Sequence, residues 1–129
     1  MDGNLIMSLH DRSYKNLFAH PQMVQDLLAG FVQQDWVADL DFTTLERLNG
    51  TYVSDDLRER ADDMVWRIRH REEWIYVYLL LEFQSGVDPF MAVRLLTYVG
   101  LLYQDLIKTG KLEEQRLPPV LPLVFYQWQ

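Results

Sequence analysis

The clearest hydrophobic pattern along the chain predicts two adjacent β-strands joined by a short loop. Met64, Trp66 and Ile68 alternate with mostly polar positions, which is the two-residue period of a strand. Residues 74–83 form a run rich in aromatic and β-branched side chains, as is typical of a central, buried strand. The charged residues 70–73 lie between the two segments. The sequence therefore predicts a β-hairpin.

The length of the hairpin loop decides which side chains share a face of the sheet. A loop of two or four residues would pair Trp66 with Val77, leaving one face entirely apolar. The other face would carry Asp63, Glu82 and Gln84. In this register Asp63 is diagonal to Glu82, and diagonal partners lie about 7–8 Å apart at their Cα atoms. A loop of odd length would change the pairing and could place the two carboxylates on opposite faces.

Upstream of the hairpin, apolar residues recur at helical spacing. Residues 11–34 are predicted to be helical, with an interruption at Pro21 that divides a short helix from a longer one. The stretch 35–48 is predicted to be a polar connection. Residues 50–53 are predicted as a first strand.

Downstream of the hairpin, a long apolar helix and a last strand are expected. Asp88 is a suitable N-cap, Pro89 suits the first helical position, and Gly110 suits the end. The helix between them is apolar nearly all round, so it should be covered on more than one side. Residues 120–126 predict another strand. The order of helix, three strands, helix and strand favours an α/β layered fold in which the last strand returns to the same sheet.

Composition excludes several functional classes. The 129 residues suffice for one domain, and a hydrophobic share of 49% is typical of a globular protein. The formal net charge of −7 excludes a uniformly basic nucleic-acid binder, although five of the 12 basic residues lie within residues 58–71. Cysteine is absent, which excludes thiol catalysis and cysteine-ligated metal. With no membrane-length apolar run and no signal sequence at the start, a cytoplasmic protein without membrane association is expected.

The polar side chains of the hairpin are the candidate chemistry. Asp63, Glu82 and Gln84 offer two carboxylates and an amide on one face, and carboxylate oxygens are ligands that Mg²⁺ prefers. An acid at the end of a buried strand is costly unless it is paired or bound to metal. The alternative is a carboxylate that simply pairs with Arg67 or Arg94.

Five segments in order resemble a known family. These are HDRSYKNLF at residues 10–18, DMVWRI at 63–68, YLLLEFQS at 78–85, MAVRLLTY at 91–98 and LPLVFY at 121–126. Together they resemble the Rpn family of recombination-promoting nucleases, also labelled transposases, within the PD-(D/E)XK nuclease superfamily.

The resemblance implies a restriction-endonuclease-like αβββαβ core, with a mixed central sheet flanked by helices. It implies a DNA endonuclease that depends on Mg²⁺ or Mn²⁺, with Asp63 and Glu82 as metal ligands. Gln84 would be the third catalytic residue, in the position where the wider superfamily has a lysine. A glutamine cannot supply that positive charge. Residues 1–129 would form a single domain of this type, truncated at its C-terminus.

Other residues have competing interpretations. Asp11 could contribute a third acid or cap a helix, and Lys15 could contact phosphate or lie in solvent. Arg94 could pair with Glu82, clamp a phosphate, or replace the missing lysine charge. Arg67 and Arg69 could bind the DNA backbone or pack on aromatic rings of the next strand.

Two further functions stay open beside the nuclease. One is a non-catalytic module of the same fold that binds a protein partner or a second copy of itself. The other is a transposition accessory factor that binds DNA ends without cutting them.

Overall fold

The computed structural model describes residues 19–48, 63–83 and 88–127. These residues form a four-stranded mixed sheet with helices packed on both faces, which confirms the α/β prediction and is consistent with a restriction-endonuclease-like core. The elements, in chain order, are helix α1 (Pro21–Phe31), a 3-10 helix (Asp35–Asp39), strands β1 (Leu40–Leu48), β2 (Met64–His70) and β3 (Glu73–Phe83), helix α2 (Met91–Lys108) and strand β4 (Val120–Gln127).

The strands lie side by side in chain order. Strands β1, β2 and β3 are successively antiparallel, whereas β4 is parallel to β3. A parallel neighbour requires a crossover connection, and α2 lies within it. The predicted return of the last strand to the same sheet is therefore confirmed.

The β2–β3 hairpin has the predicted register. Trp66 pairs with Val77, and His70 pairs with Glu73, so the loop consists of two residues. The first of these, Arg71, has a φ of 57°, the left-handed conformation that two-residue hairpin turns require. This even-length loop keeps the odd-numbered residues of β2 opposite the even-numbered residues of β3.

Each face of the hairpin is covered by a different helix. On one face Trp66 and Ile68 belong to the cluster of buried side chains that includes Val24 and Leu28 of α1. The opposite face packs against α2, and its cluster contains Val65, Tyr76, Tyr78, Leu80, Leu102 and Leu106. Strand β3 is buried on both faces, which explains its unbroken apolar run.

The prediction of a polar connection over residues 35–48 is wrong. This stretch forms the 3-10 helix and strand β1. The pairing of β1 with β2 shifts register between Asp41 and Glu46, where the hydroxyl of Thr44 donates to the carbonyl of Asp41 and accepts from the N–H of Arg69. A bulge removes the two-residue alternation by which a strand is identified in sequence.

Helix α2 begins later than the sequence predicts. Asp88 is not its N-cap: the carboxylate of Asp88 accepts from the N–H of Phe90 at 2.8 Å, closing a turn that precedes the helix, which begins at Met91. The predicted end is confirmed, because Gly110 follows the helix with a φ of 68°.

Two predicted elements lie outside the described residues. One is the part of the short helix before Pro21 that ends at residue 18, and the other is the strand at 50–53. In the described ranges no helix has both the length and the apolar character to cross a membrane.

Candidate functional site

Asp63 lies immediately before β2, on the face of the sheet that α2 covers. Its neighbour Met64 pairs with Leu79, so continuing the register by one residue places Asp63 opposite Leu80 and diagonal to Glu82. Diagonal positions of this kind are about 7–8 Å apart at Cα, and the side chains can approach more closely. The even loop therefore brings the two predicted metal ligands to the same face and the same end of the hairpin.

The Asp63 carboxylate is held by a tyrosine from the neighbouring strand. The hydroxyl of Tyr78 donates to Oδ2 of Asp63 at 2.8 Å. The ring of Tyr78 lies nearly parallel to that of Tyr98 on α2, with 6.2 Å between ring centroids and 7° between planes. The acid at the start of β2 is thus linked through β3 to the helix above the sheet.

Glu82 is held by an arginine of α2. Nη2 of Arg94 donates to Oε1 of Glu82, while Nη1 donates to Oδ2 of Asp88 at 3.3 Å. The hydrogen bond with Glu82 raises the pKa of Arg94 above its ordinary value, and burial lowers it only in part. The guanidinium is therefore a permanent positive charge between two carboxylates. Of the alternatives for Arg94, the structure contains the pair with Glu82.

The donor set of this end of the hairpin suits a hard cation. Asp63 and Glu82 supply carboxylate oxygens, and Mg²⁺ commonly takes only one or two carboxylates and keeps several waters. Among residues 19–48, 63–83 and 88–127 no three acidic or histidine side chains lie close enough to form a metal cage by themselves. The described residues can thus offer two carboxylate ligands at this end of the hairpin, which is fewer than a closed structural site has.

Arg67 and Arg69 lie on the same face but toward the other end of β2. Both guanidinium carbons are close to the centroid of the Trp74 ring, at 4.1 and 4.2 Å. Each arginine also has an acidic partner: Arg67 contacts Glu46 at 2.9 Å, and Arg69 contacts Glu113 at 3.2 Å.

The predicted packing of these two arginines on an aromatic ring is therefore present. Burial lowers the pKa of Arg67, but the hydrogen bonds with Glu46 and the proximity of Tyr76 more than offset it, so the pKa lies above its ordinary value. Contact of Arg67 and Arg69 with the DNA backbone stays a prediction.

A cavity of about 580 Å³ lies at the hairpin-turn end of the sheet, away from the two acids. Trp74, Tyr76, Lys111 and Arg116 are among its lining residues. Because a strand rises about 3.3 Å per residue, Glu82 is roughly 20 Å along β3 from this cavity. The cavity and the acidic pair are separate features.

Three predicted site residues, Asp11, Lys15 and Gln84, lie outside the described part of the chain. Conversely, sequence reasoning did not identify Tyr78, Tyr98 or the contact between Asp88 and Arg94. A buried tyrosine in an apolar strand looks like any other core residue. Only the diagonal position of Tyr78 relative to Asp63, implied by the register, could have indicated the contact.

Comparisons with known proteins agree in naming one group. The family model described as "Putative transposase, YhgA-like" matches residues 8–129. The chain is 31% identical to the recombination-promoting nuclease RpnD of Escherichia coli O157:H7, over 91% of this chain and 44% of the relative. It is also 31% identical to RpnA of Escherichia coli K12, over 91% of this chain and 39% of the relative.

Some relatives carry a different description. The protein named inactive recombination-promoting nuclease-like protein RpnE, from Escherichia coli K12, is 27% identical over 98% of this chain and 41% of its own length. The chain thus spans about two fifths of the length of these three relatives. No solved structure matches it.

Proposed function

Because the chain belongs to the YhgA-like transposase family, we propose that it is a metal-dependent DNA endonuclease that acts in recombination or transposition. The relatives named recombination-promoting nucleases support the reaction class. The observation that carries the proposal is the register of the β2–β3 hairpin, which brings Asp63 and Glu82 to one end of one face. Two acids so placed can share a divalent cation.

The proposed roles follow from the chemistry of each side chain. Asp63 and Glu82 would hold Mg²⁺ or Mn²⁺, and the bound ion supplies charge stabilisation for the phosphate and activation of a water molecule. Gln84 can orient that water by hydrogen bonding but brings no charge. Among the described residues, Arg94 contacts Glu82 and carries a fixed positive charge. That charge is suited to stabilise the negative charge that develops on the phosphate oxygens during cleavage.

A plasmid-nicking assay with Mg²⁺ tests the proposal. Asp63→Asn removes the charge of one ligand while preserving its shape. It should slow nicking by at least about 100-fold, because replacing even a residue that only orients a metal ligand lowers metal affinity or activity 10–100-fold. Asp26→Asn is the matched control, since Asp26 lies on α1 and accepts a hydrogen bond from Gln22. If Asp63→Asn nicks DNA as fast as Asp26→Asn, the proposal fails.

A second candidate is a non-catalytic module of the same fold that binds a protein or DNA ends. The observation that favours it is the engagement of Glu82 by Arg94, which already provides the acid with a cation. A relative named inactive points the same way. Calorimetric titration with Mn²⁺ separates the two candidates: heat of binding that disappears in Asp63→Asn favours the nuclease, and no binding at millimolar metal favours the module.

A further inference from the structure

Tyr78 differs from an ordinary core tyrosine because its hydroxyl meets an ionisable group. The residue is 1% exposed, and the hydroxyl of a buried tyrosine usually finds a hydrogen-bond partner. The partner here is the Asp63 carboxylate, at 2.8 Å. A hydrogen bond to a charged acceptor is stronger and more directional than one between neutral groups.

The packing around Tyr78 fixes the direction of this hydrogen bond. Its backbone pairs with Val65 in β2 and with Pro122 in β4, so it belongs to a central strand. Its ring is stacked on Tyr98 of α2. A ring with two side-chain torsions, held by the sheet on one side and a helix on the other, leaves the hydroxyl little freedom of position.

We infer that Tyr78 is a positioning residue for the Asp63 carboxylate. By holding Oδ2, the hydroxyl orients the carboxylate and directs it for metal binding at the same end of the hairpin as Glu82. This inference rests on the proposed function, because it assigns Tyr78 a role through Asp63 and not in contact with substrate. Groups that orient a metal ligand from outside typically contribute 10–100-fold to metal affinity.

Tyr76 provides an internal comparison. It lies two residues earlier in β3, on the same face, and is also 1% exposed. Within the described part of the chain its hydroxyl has no hydrogen bond to a carboxylate. Removing the hydroxyl of Tyr76 therefore reproduces the loss of a buried hydroxyl without altering the contact with Asp63.

The experiment compares Tyr78→Phe with Tyr76→Phe in calorimetric titrations with Mn²⁺ and in plasmid nicking at increasing Mg²⁺. Phenylalanine keeps the ring and its stack on Tyr98, and thermal unfolding checks that both variants are folded. Tyr78→Phe should weaken Mn²⁺ binding about tenfold and raise the Mg²⁺ concentration for half-maximal nicking by a similar factor. The nicking rate at saturating Mg²⁺ should change little. Tyr76→Phe should match the parent in both measurements.

A double variant tests whether Tyr78 acts through Asp63. At a Mg²⁺ concentration below saturation, Tyr78→Phe should slow nicking by the parent but should not further slow the residual nicking by Asp63→Asn, since the hydroxyl then has no charged ligand to orient. If the parent binds Mn²⁺ and Tyr78→Phe binds it equally well, the positioning role is wrong and the proposed function survives. If the parent itself binds no metal, both are wrong.

Discussion

At the scale of single residues, the environment of Arg94 gives the sharpest expectation for stability. The Glu82 side chain is 11% exposed, so little water reaches its ion pair with the guanidinium of Arg94. Arg94→Met retains most of the side-chain volume but leaves this carboxylate without its cation. We expect the free energy of unfolding to fall by about 1–3 kcal/mol, as measured by urea denaturation at neutral pH.

Arg71→Met is the matched control for this loss. Arg71 also pairs with a carboxylate, that of Asp39 at 3.1 Å, but its side chain is 74% exposed. An exposed ion pair contributes only about 0–1 kcal/mol. If Arg94→Met and Arg71→Met lower the free energy of unfolding equally, the burial of Glu82 does not make its ion pair more stabilising than an exposed one.

At the scale of secondary-structure elements, the hairpin was predictable and β1 was not. Met64, Trp66 and Ile68 keep an unbroken two-residue period up to a polar turn, so even the register followed from the parity of the loop. In β1 the bulge between Asp41 and Glu46 breaks that period. Strand prediction from sequence depends on side-chain alternation. It fails where hydrogen bonds from side chains replace the regular backbone hydrogen bonds between strands.

In the candidate site too, some features could be predicted from the local sequence pattern and others depend on tertiary packing. The shared face of Asp63 and Glu82 followed from strand parity. The contact of Tyr78 with Asp63 is also within the hairpin and follows from its register. The contact of Arg94 with Glu82 depends instead on how α2 packs across the sheet, which no local pattern encodes. The turn at Asp88 was misassigned as a helix cap for a related reason, since an aspartate accepts from the backbone equally well in a turn and at a helix start.

A tyrosine hydroxyl links helix α2 to the segment that precedes β4. The hydroxyl of Tyr103 on α2 donates to the carbonyl of Pro118 at 2.6 Å, two residues before β4 begins. Tyr103→Phe should lower the free energy of unfolding by about 0.5–1.5 kcal/mol through the loss of this hydrogen bond. Thermal or urea unfolding measures the change, and a variant as stable as the parent would contradict it.

The free energy of unfolding of the parent and that of Tyr103→Phe should respond differently to alkaline pH. Burial raises the pKa of Tyr103 above its ordinary value, so the folded state retains the proton more strongly than the unfolded state. The stabilisation is complete below the unfolded pKa of about 10 and is lost as pH rises through the folded pKa. The stability advantage of the parent over Tyr103→Phe should therefore shrink above about pH 10. An advantage that stays constant up to pH 11 would be the contrary result.

At the scale of the whole molecule, net charge limits how this chain could bind the DNA that the proposed function requires. With a net charge of −7, binding must depend on a local basic surface. The described candidates are Arg67, Arg69 and Arg71 in β2 and its turn, and each has an acidic partner that a phosphate would have to displace. We therefore expect weak, strongly salt-dependent affinity.

Replacing these three arginines with glutamine tests that surface. If each contacts one phosphate, the logarithm of the affinity for duplex DNA should fall with the logarithm of salt concentration with a slope of about −3 in the parent. The triple variant should flatten the slope toward zero. Fluorescence anisotropy of a labelled duplex measures both slopes, and an unchanged slope would place the DNA elsewhere on the protein.

In the proposed function, Asp63 and Glu82 act as one unit on a shared cation. The most direct test is the Mg²⁺-dependent nicking rate of four proteins: the parent, Asp63→Asn, Glu82→Gln and the double variant. Residues that hold a single ion are strongly non-additive, so the double variant should be no slower than the slower single variant. Parent-like nicking by either single variant, or two losses that simply multiply in the double variant, would contradict the account.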